Sequence, residues 1–234
     1  MLASATLSAV EDGLLTLDDS IDRWLPEFAA PRVLRTADSE LADTIAAQHR
    51  LTVEDLLTMR LGTGFDYERA DSPVVEAAAQ AQLGWGPPVP TAVPHTPDEW
   101  VRALAALPLI EQPGQFWRYG AAYSLLGVLL ARSSRQDLPQ VLHERVLGPL
   151  GMHDTGFHAD PSQAARLVDC LVWPGSGEPS VLDPATGSAW LQAPSFPDGA
   201  GGLLGTVDDV LTFGRALLTA DAGGGSARPW LSPT

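Results

Sequence analysis

Apolar and polar positions alternate along this chain mainly with helical periodicity, and only briefly with the two-residue period of strands. "LSAVEDG" reads as a helix that turns at Gly13. Asp18 and Asp19 are expected to start a second short helix that Pro26 closes. "LTVEDLLTMR" places Thr52 as an N-cap with Asp55 three residues on, a capping box with Asp in place of Glu. "SPVVEAAAQAQLG" predicts a helix with Pro73 in its first turn and Gly84 at its end. "TPDEWVRALAALP" predicts another, with Thr96 as N-cap, Pro97 at N1, Glu99 at N3 and Pro108 as the stop. "AAYSLLGVLLA" reads as a buried helix, and Leu138, Val141, Leu142 and Val146 keep helical spacing. Thr206 and Asp209 cap a final helix.

Between these lie "LGTGFDYE", "GWGPPVPTAVPH" and the stretch 168–198, all rich in turn residues. "LVDCLVW" is a short strand-like piece within the last of them. No internal repeat is visible, so the pattern predicts mostly helix and loop with at most a few short strands.

Composition narrows the class. With 45% hydrophobic and 18% charged residues among 234, the chain has the make-up of a globular protein. Its longest apolar runs are too short to span a bilayer. No basic segment followed by an apolar core is visible after Met1, so a cytoplasmic location is expected. A net charge of −15 argues against nucleic-acid binding. The single Cys170 permits no internal disulfide and reads as a small apolar filler. His143, His153 and His158 do not fall on one helical face, so no metal site is expected, and no cofactor motif is present. "DGAGGLLGT" reads as a tight turn into a capped helix; no lysine follows it as a phosphate loop would need. All 14 basic residues are arginine; the 234 residues contain no lysine.

The stretch "GQFWRYGAAYSLLGVLL" concentrates the candidate chemistry. Tyr119 has two readings: an aromatic packed beside Trp117 at a helix start, or a side chain facing a reaction centre. Phe116 and Trp117 read as packing residues and Arg118 as a surface residue with no assigned role.

Five segments in order resemble one family: "VEDGLLTLDDSIDRWLPEF", "LTVEDLLTMRLGTG", "LPLIEQPGQFWRYGAAYSLLGVLLARSS", "LPQVLHERVLGPLGMHDTGF" and "DGAGGLLGTVDDVLTFGRALL". That family is the serine β-lactamase-like hydrolases, which include class C β-lactamases, D-alanyl-D-alanine carboxypeptidases and related esterases. The resemblance implies an α+β fold, an antiparallel sheet covered by helices beside a helical region. Here it implies a single partial domain over residues 1–234, helical over about 40–160, with remnants of the α/β part and most of the central sheet missing. It also implies acyl transfer, the hydrolysis of esters, amides or peptide-like substrates through a serine acyl-enzyme.

In that chemistry the serine and lysine of an S-x-x-K motif work with a tyrosine, which matches Tyr119. A phenol, with a pKa of about 10, needs a nearby cation to act as base. Ala121 stands where the family's second motif carries Asn, which argues against efficient β-lactam turnover. The S-x-x-K segment would fall just upstream of Met1, and the K-T-G-like third motif after "WLSPT". Ser4 and Ser8 have no lysine three residues on and read as helix surface.

The expectation is therefore a chain without nucleophile or lysine, inactive as given. The alternatives are a non-catalytic binding descendant or a truncated gene product. Its helices, lacking part of their partner surface, are expected to self-associate.

Overall fold

The computed structural model describes residues 1–65, 72–84, 90 and 92–220. The central element is helix α5 (Ala121–Ser134), buried on nearly every side. Around it pack α1 (Leu2–Glu11), α2 (Val53–Leu57), α4 (Pro97–Ala105) and α6 (Leu138–Leu142). Helix α3 (Pro73–Gln80) lies between α2 and α4 in the chain, and α7 (Gly148–Leu150) and α8 (Val207–Ala220) follow α6. A π-helical turn, His143–Leu147, continues α6 into α7 and keeps Val146 buried.

A helix apolar on all faces must lie inside, and α5 obeys this: Leu125, Leu126, Leu129 and Leu130 are fully buried. Gly127 is where α5 admits its neighbours. A Cβ there would stand 2.9 Å from Leu138 Cδ2 and 3.5 Å from Gly199. Most of the core is one cluster from Leu2 to Phe196, with a small second cluster of Leu34, Val74 and Ile110 beside it. Trp100 is fully buried, stacks on Phe196 at 4.9 Å and donates its indole N–H to Leu83 O at 3.0 Å.

Strands are few and short, as the pattern predicts. β1 (Arg32–Leu34) pairs with β2 (Thr44–Ala46), and β3 (Cys170–Val172) with β4 (Ser180–Asp183), both antiparallel. The first hairpin is extended by residue 109: Leu34 N donates to Leu109 O and Leu109 N to Arg32 O, each at 2.8 Å.

Both capping boxes form. Thr52 with Asp55 and Thr96 with Glu99 make reciprocal bonds at the starts of α2 and α4. Thr206 Oγ1 accepts from Asp209 N at 3.3 Å. The Asp209 carboxylate, however, turns away to accept from Asp154 N and Thr155 Oγ1.

Four sequence-based expectations fail for identifiable reasons. No helix spans Asp18 to Pro26: two 3-10 turns, Ile21–Arg23 and Pro26–Phe28, replace it, and Pro26 opens the second because its missing N–H is harmless at a first helical position. Helix α3 ends at Gln80, four residues before Gly84, with Gln82 taking a φ of 53°. Cys170 is exposed, since β3 presents its side chains to solvent. Ser4 is buried rather than on the helix surface, because α1 is covered by α5 and α6. Residues 66–68 of "LGTGFDYE" and 85–89 and 91 of the proline-rich stretch lie outside the described residues.

Among the described residues, no helix is long and apolar enough to cross a membrane.

Candidate active site

Tyr119 stands immediately before α5. Gly120 takes a φ of +106°, open to glycine but strained for other residues, and lets the chain turn into the helix. A side chain at 120 would also press on the Phe65 ring, which approaches to 3.0 Å. Tyr119 O accepts from Phe65 N at 3.0 Å, and Arg118 N donates to Met59 O at 2.8 Å. The loop after α2 therefore grips the backbone on both sides of the tyrosine.

The side chain itself reaches solvent. Tyr119 is 44% exposed, with its ring 6.0 Å from Phe65 and 6.3 Å from Trp117. Phe116 and Trp117, expected as packing residues, are 55% and 61% exposed. Arg118, expected on the surface, is instead paired bidentately with Glu111 at 2.6 and 2.9 Å, both side chains largely buried.

One turn into α5, Tyr123 is half-buried and donates its hydroxyl to Leu57 O at 3.2 Å; burial pushes its phenol pKa up. Tyr123 also lines an open cavity of about 260 Å3 with Met1, Leu2 and the turn Gly199–Leu203. That turn is the "DGAGG" segment. Ala200 N donates to Asp198 Oδ1 and Gly202 N to Asp198 O, both at 2.9 Å, so it is a tight turn leading toward α8. Burial pushes the Asp198 carboxyl above the ordinary aspartate range, against the hydrogen bonds from Ala200 N and the Ser124 hydroxyl. A carboxyl desolvated in this way is the kind of group found near functional sites, and sequence reading missed it. Its signal was available only as an acidic residue opening a glycine run.

The segments that carry the sequence resemblance also meet in space. "PLGMHDTGF" joins "GGLLGT" through paired backbone bonds between Gly156 and Leu204, at 3.0 and 2.9 Å. Asp154, within the first of these segments, has its carboxyl pKa lowered to about 2 by hydrogen bonds from Arg166 and Gln163. His143, His153 and His158 are each exposed, and among the described residues no cluster of His, Cys, Asp or Glu could hold a metal ion. Ser8 accepts from Arg145 Nη1 at 3.2 Å, and Ser4 is buried in the helix interface.

Comparison with known proteins identifies the family. The family model described as Beta-lactamase matches residues 1–233. Protein Rv1367c of Mycobacterium tuberculosis is 36% identical over 217 residues, covering 92% of this chain and 50% of that protein. Esterase EstB of Burkholderia gladioli is 32% identical over 236 residues, covering 93% of this chain and 53% of the esterase. The solved structure of EstCE1, a hydrolase with promiscuous acyltransferase activity, superposes with a TM-score of 0.70 at 26% identity, covering 97% of this chain and 58% of that one. The chain thus spans about half the length of the curated relatives it matches. With Tyr119 standing at the head of a buried α5 and the glycine turn seated against that helix, the chain belongs to the beta-lactamase family, whose fold and whose hydrolase and acyltransferase relatives it shares.

Proposed function

We propose that the whole protein to which these residues correspond is a serine hydrolase or acyltransferase acting on small ester or amide substrates, with Tyr119 as its proton-transfer group. The observation that carries this is the family match over residues 1–233 together with an exposed tyrosine on a rigid backbone mount. The serine would attack the substrate carbonyl. The tyrosine would take the hydroxyl proton and return it to the leaving group, a role worth about 10²–10⁴-fold in rate.

The 234 residues hold no lysine, hence no S-x-x-K, and the second reading follows from that fact. On their own they form a single partial domain that is catalytically silent. Their large buried core favours a folded module able to bind a small molecule, or a second copy of itself, through its open surfaces.

The test is a form carrying an S-x-x-K segment ahead of residue 1. In it, Tyr119→Phe should lower kcat for ester hydrolysis by about 10²-fold or more while the protein stays folded. An unchanged kcat in a folded variant would return Tyr119 to a packing role.

A further inference from the structure

Arg118 precedes the candidate tyrosine, yet its side chain turns inward. Its Nε and Nη2 donate to Glu111 Oε2 and Oε1 at 2.9 and 2.6 Å, with the two side chains only 11% and 15% exposed. A fork-to-fork pair of this kind fixes orientation as well as distance. Glu111 is itself anchored, because Ile110 N and Glu111 N both donate to Gly62 O, at 2.9 and 3.0 Å. Two residues further along the same loop, Gly64 lies so close to Tyr119 that a Cβ would meet Tyr119 O at 2.5 Å. A Cβ on Gly62 would likewise clash with Glu111 O. The loop, Glu111, Arg118 and Tyr119 therefore form a closed ring of contacts, in which the ion pair is one side-chain link beside the Phe65–Tyr119 ring contact.

We propose that Arg118 and Glu111 are a positioning pair that sets the direction of the Tyr119 side chain, Glu111 serving as the fixed post and Arg118 as the tether. Neither residue is placed against a reacting atom. The guanidinium is matched by a carboxylate, so the pair acts through geometry and not as the cation that would activate a phenol. Its meaning for catalysis rests on the reading of Tyr119 given above; its structural effect does not.

The test uses the chain as it exists. 3-Fluorotyrosine is placed at position 119, and in a separate sample at position 123 as control, and the fluorine spectrum is read beside thermal unfolding. Arg118→Met should move the resonance at 119 toward that of free fluorotyrosine, with little change at 123 and a cooperative unfolding transition retained. Arg118→Lys keeps the charge but loses the fork, and should move the 119 resonance in the same direction by less. It also serves if Arg118→Met fails to fold. An unmoved 119 resonance in whichever variant folds would overturn the proposal, as would equal shifts at 119 and 123, which indicate general loosening. A shift at 119 alone upholds the mount even if the Tyr119→Phe rate test fails, so the two claims stand or fall separately.

Discussion

Helices α5 and α8 are both 14 residues long, both are rich in Leu and Val, and both announce themselves in the sequence, yet their side chains meet opposite fates. In α5 the leucines are sealed from water. In α8, Val207 is 75% exposed and Leu218 78%, with Val210 and Leu211 also out. The β3–β4 hairpin resembles α8, with Val168, Leu171, Trp173 and Val181 all exposed. An apolar pattern fixes which face could be buried, while burial itself depends on what is packed against it. For α5 the described residues supply α1, α2, α4 and α6. For the solvent-facing side of α8 and the hairpin they supply no cover.

The contrast breaks most visibly by truncating large side chains on either side of it. Trp100→Ala, within the α5 core, should destabilise by about 3–5 kcal/mol in denaturant unfolding, since it removes both the Phe196 stack and the bond to Leu83 O. Leu218→Ala on α8 should change stability by no more than about 0.5 kcal/mol. A comparable loss at both positions would mean that α8 is covered in solution.

An intermediate effect is expected where the core meets the surface. Arg132, on α5, binds Glu27 bidentately, Asp98 at 2.7 Å and Trp24 O at 3.0 Å. These bonds hold the Glu27 carboxyl below its ordinary range and raise the guanidinium. Arg132→Met should cost about 2 kcal/mol, because it leaves Glu27 half-buried without its partner.

Charging the open face should change association more than stability. We expect the chain to bind a hydrophobic dye and to self-associate through its exposed apolar surface. Val210→Glu with Leu218→Glu should reduce dye fluorescence and shift light scattering toward the monomer. Undiminished association would place the contact elsewhere.

The smallest expected effect is a pH dependence at the turn before Tyr119. His49 Nδ1 lies 2.8 Å from Arg50 O and Nε2 2.6 Å from Pro113 O. A neutral imidazole donates only once, so both bonds need the imidazolium. The bond to Arg50 O leads in raising the His49 pKa; the bond to Pro113 O and the Asp55 charge add to it, against desolvation. A raised folded pKa gives stability that is full below the unfolded value near 6.5 and is lost as pH rises through the folded value. Imidazole proton shifts should therefore titrate above 6.5, and Tm should fall slightly across that window, a component that His49→Gln removes. Titration at or below 6.5 would contradict the clamp.

Much of the fold was legible in advance, for local reasons. The capping boxes at Thr52 and Thr96, the stop at Gly13 and the buried run of α5 are written in residues within a turn of each other, and a chain reads them without its tertiary context. What failed was set by distant packing. Pro26 and Gly84 punctuate where neighbouring elements demand, Cys170 faces out because its hairpin has no cover, and Ser4 is hidden by helices more than a hundred residues away. At the candidate site, Tyr119 was visible through its motif. The Glu111–Arg118 pair and the desolvated Asp198 were not, because the sequence gives no sign of which charges are taken out of water.

The proposal that most needs testing is that these residues carry the tyrosine's mount without an acylable serine. The most direct measurement is intact mass after incubation with a serine-directed phosphonate, alongside stopped-flow hydrolysis of an activated ester. An unchanged mass and no burst are expected, because the 234 residues contain no lysine to complete an S-x-x-K nucleophile. Stoichiometric labelling of any serine, with a matching burst, would contradict it and would assign the chemistry to a different nucleophile.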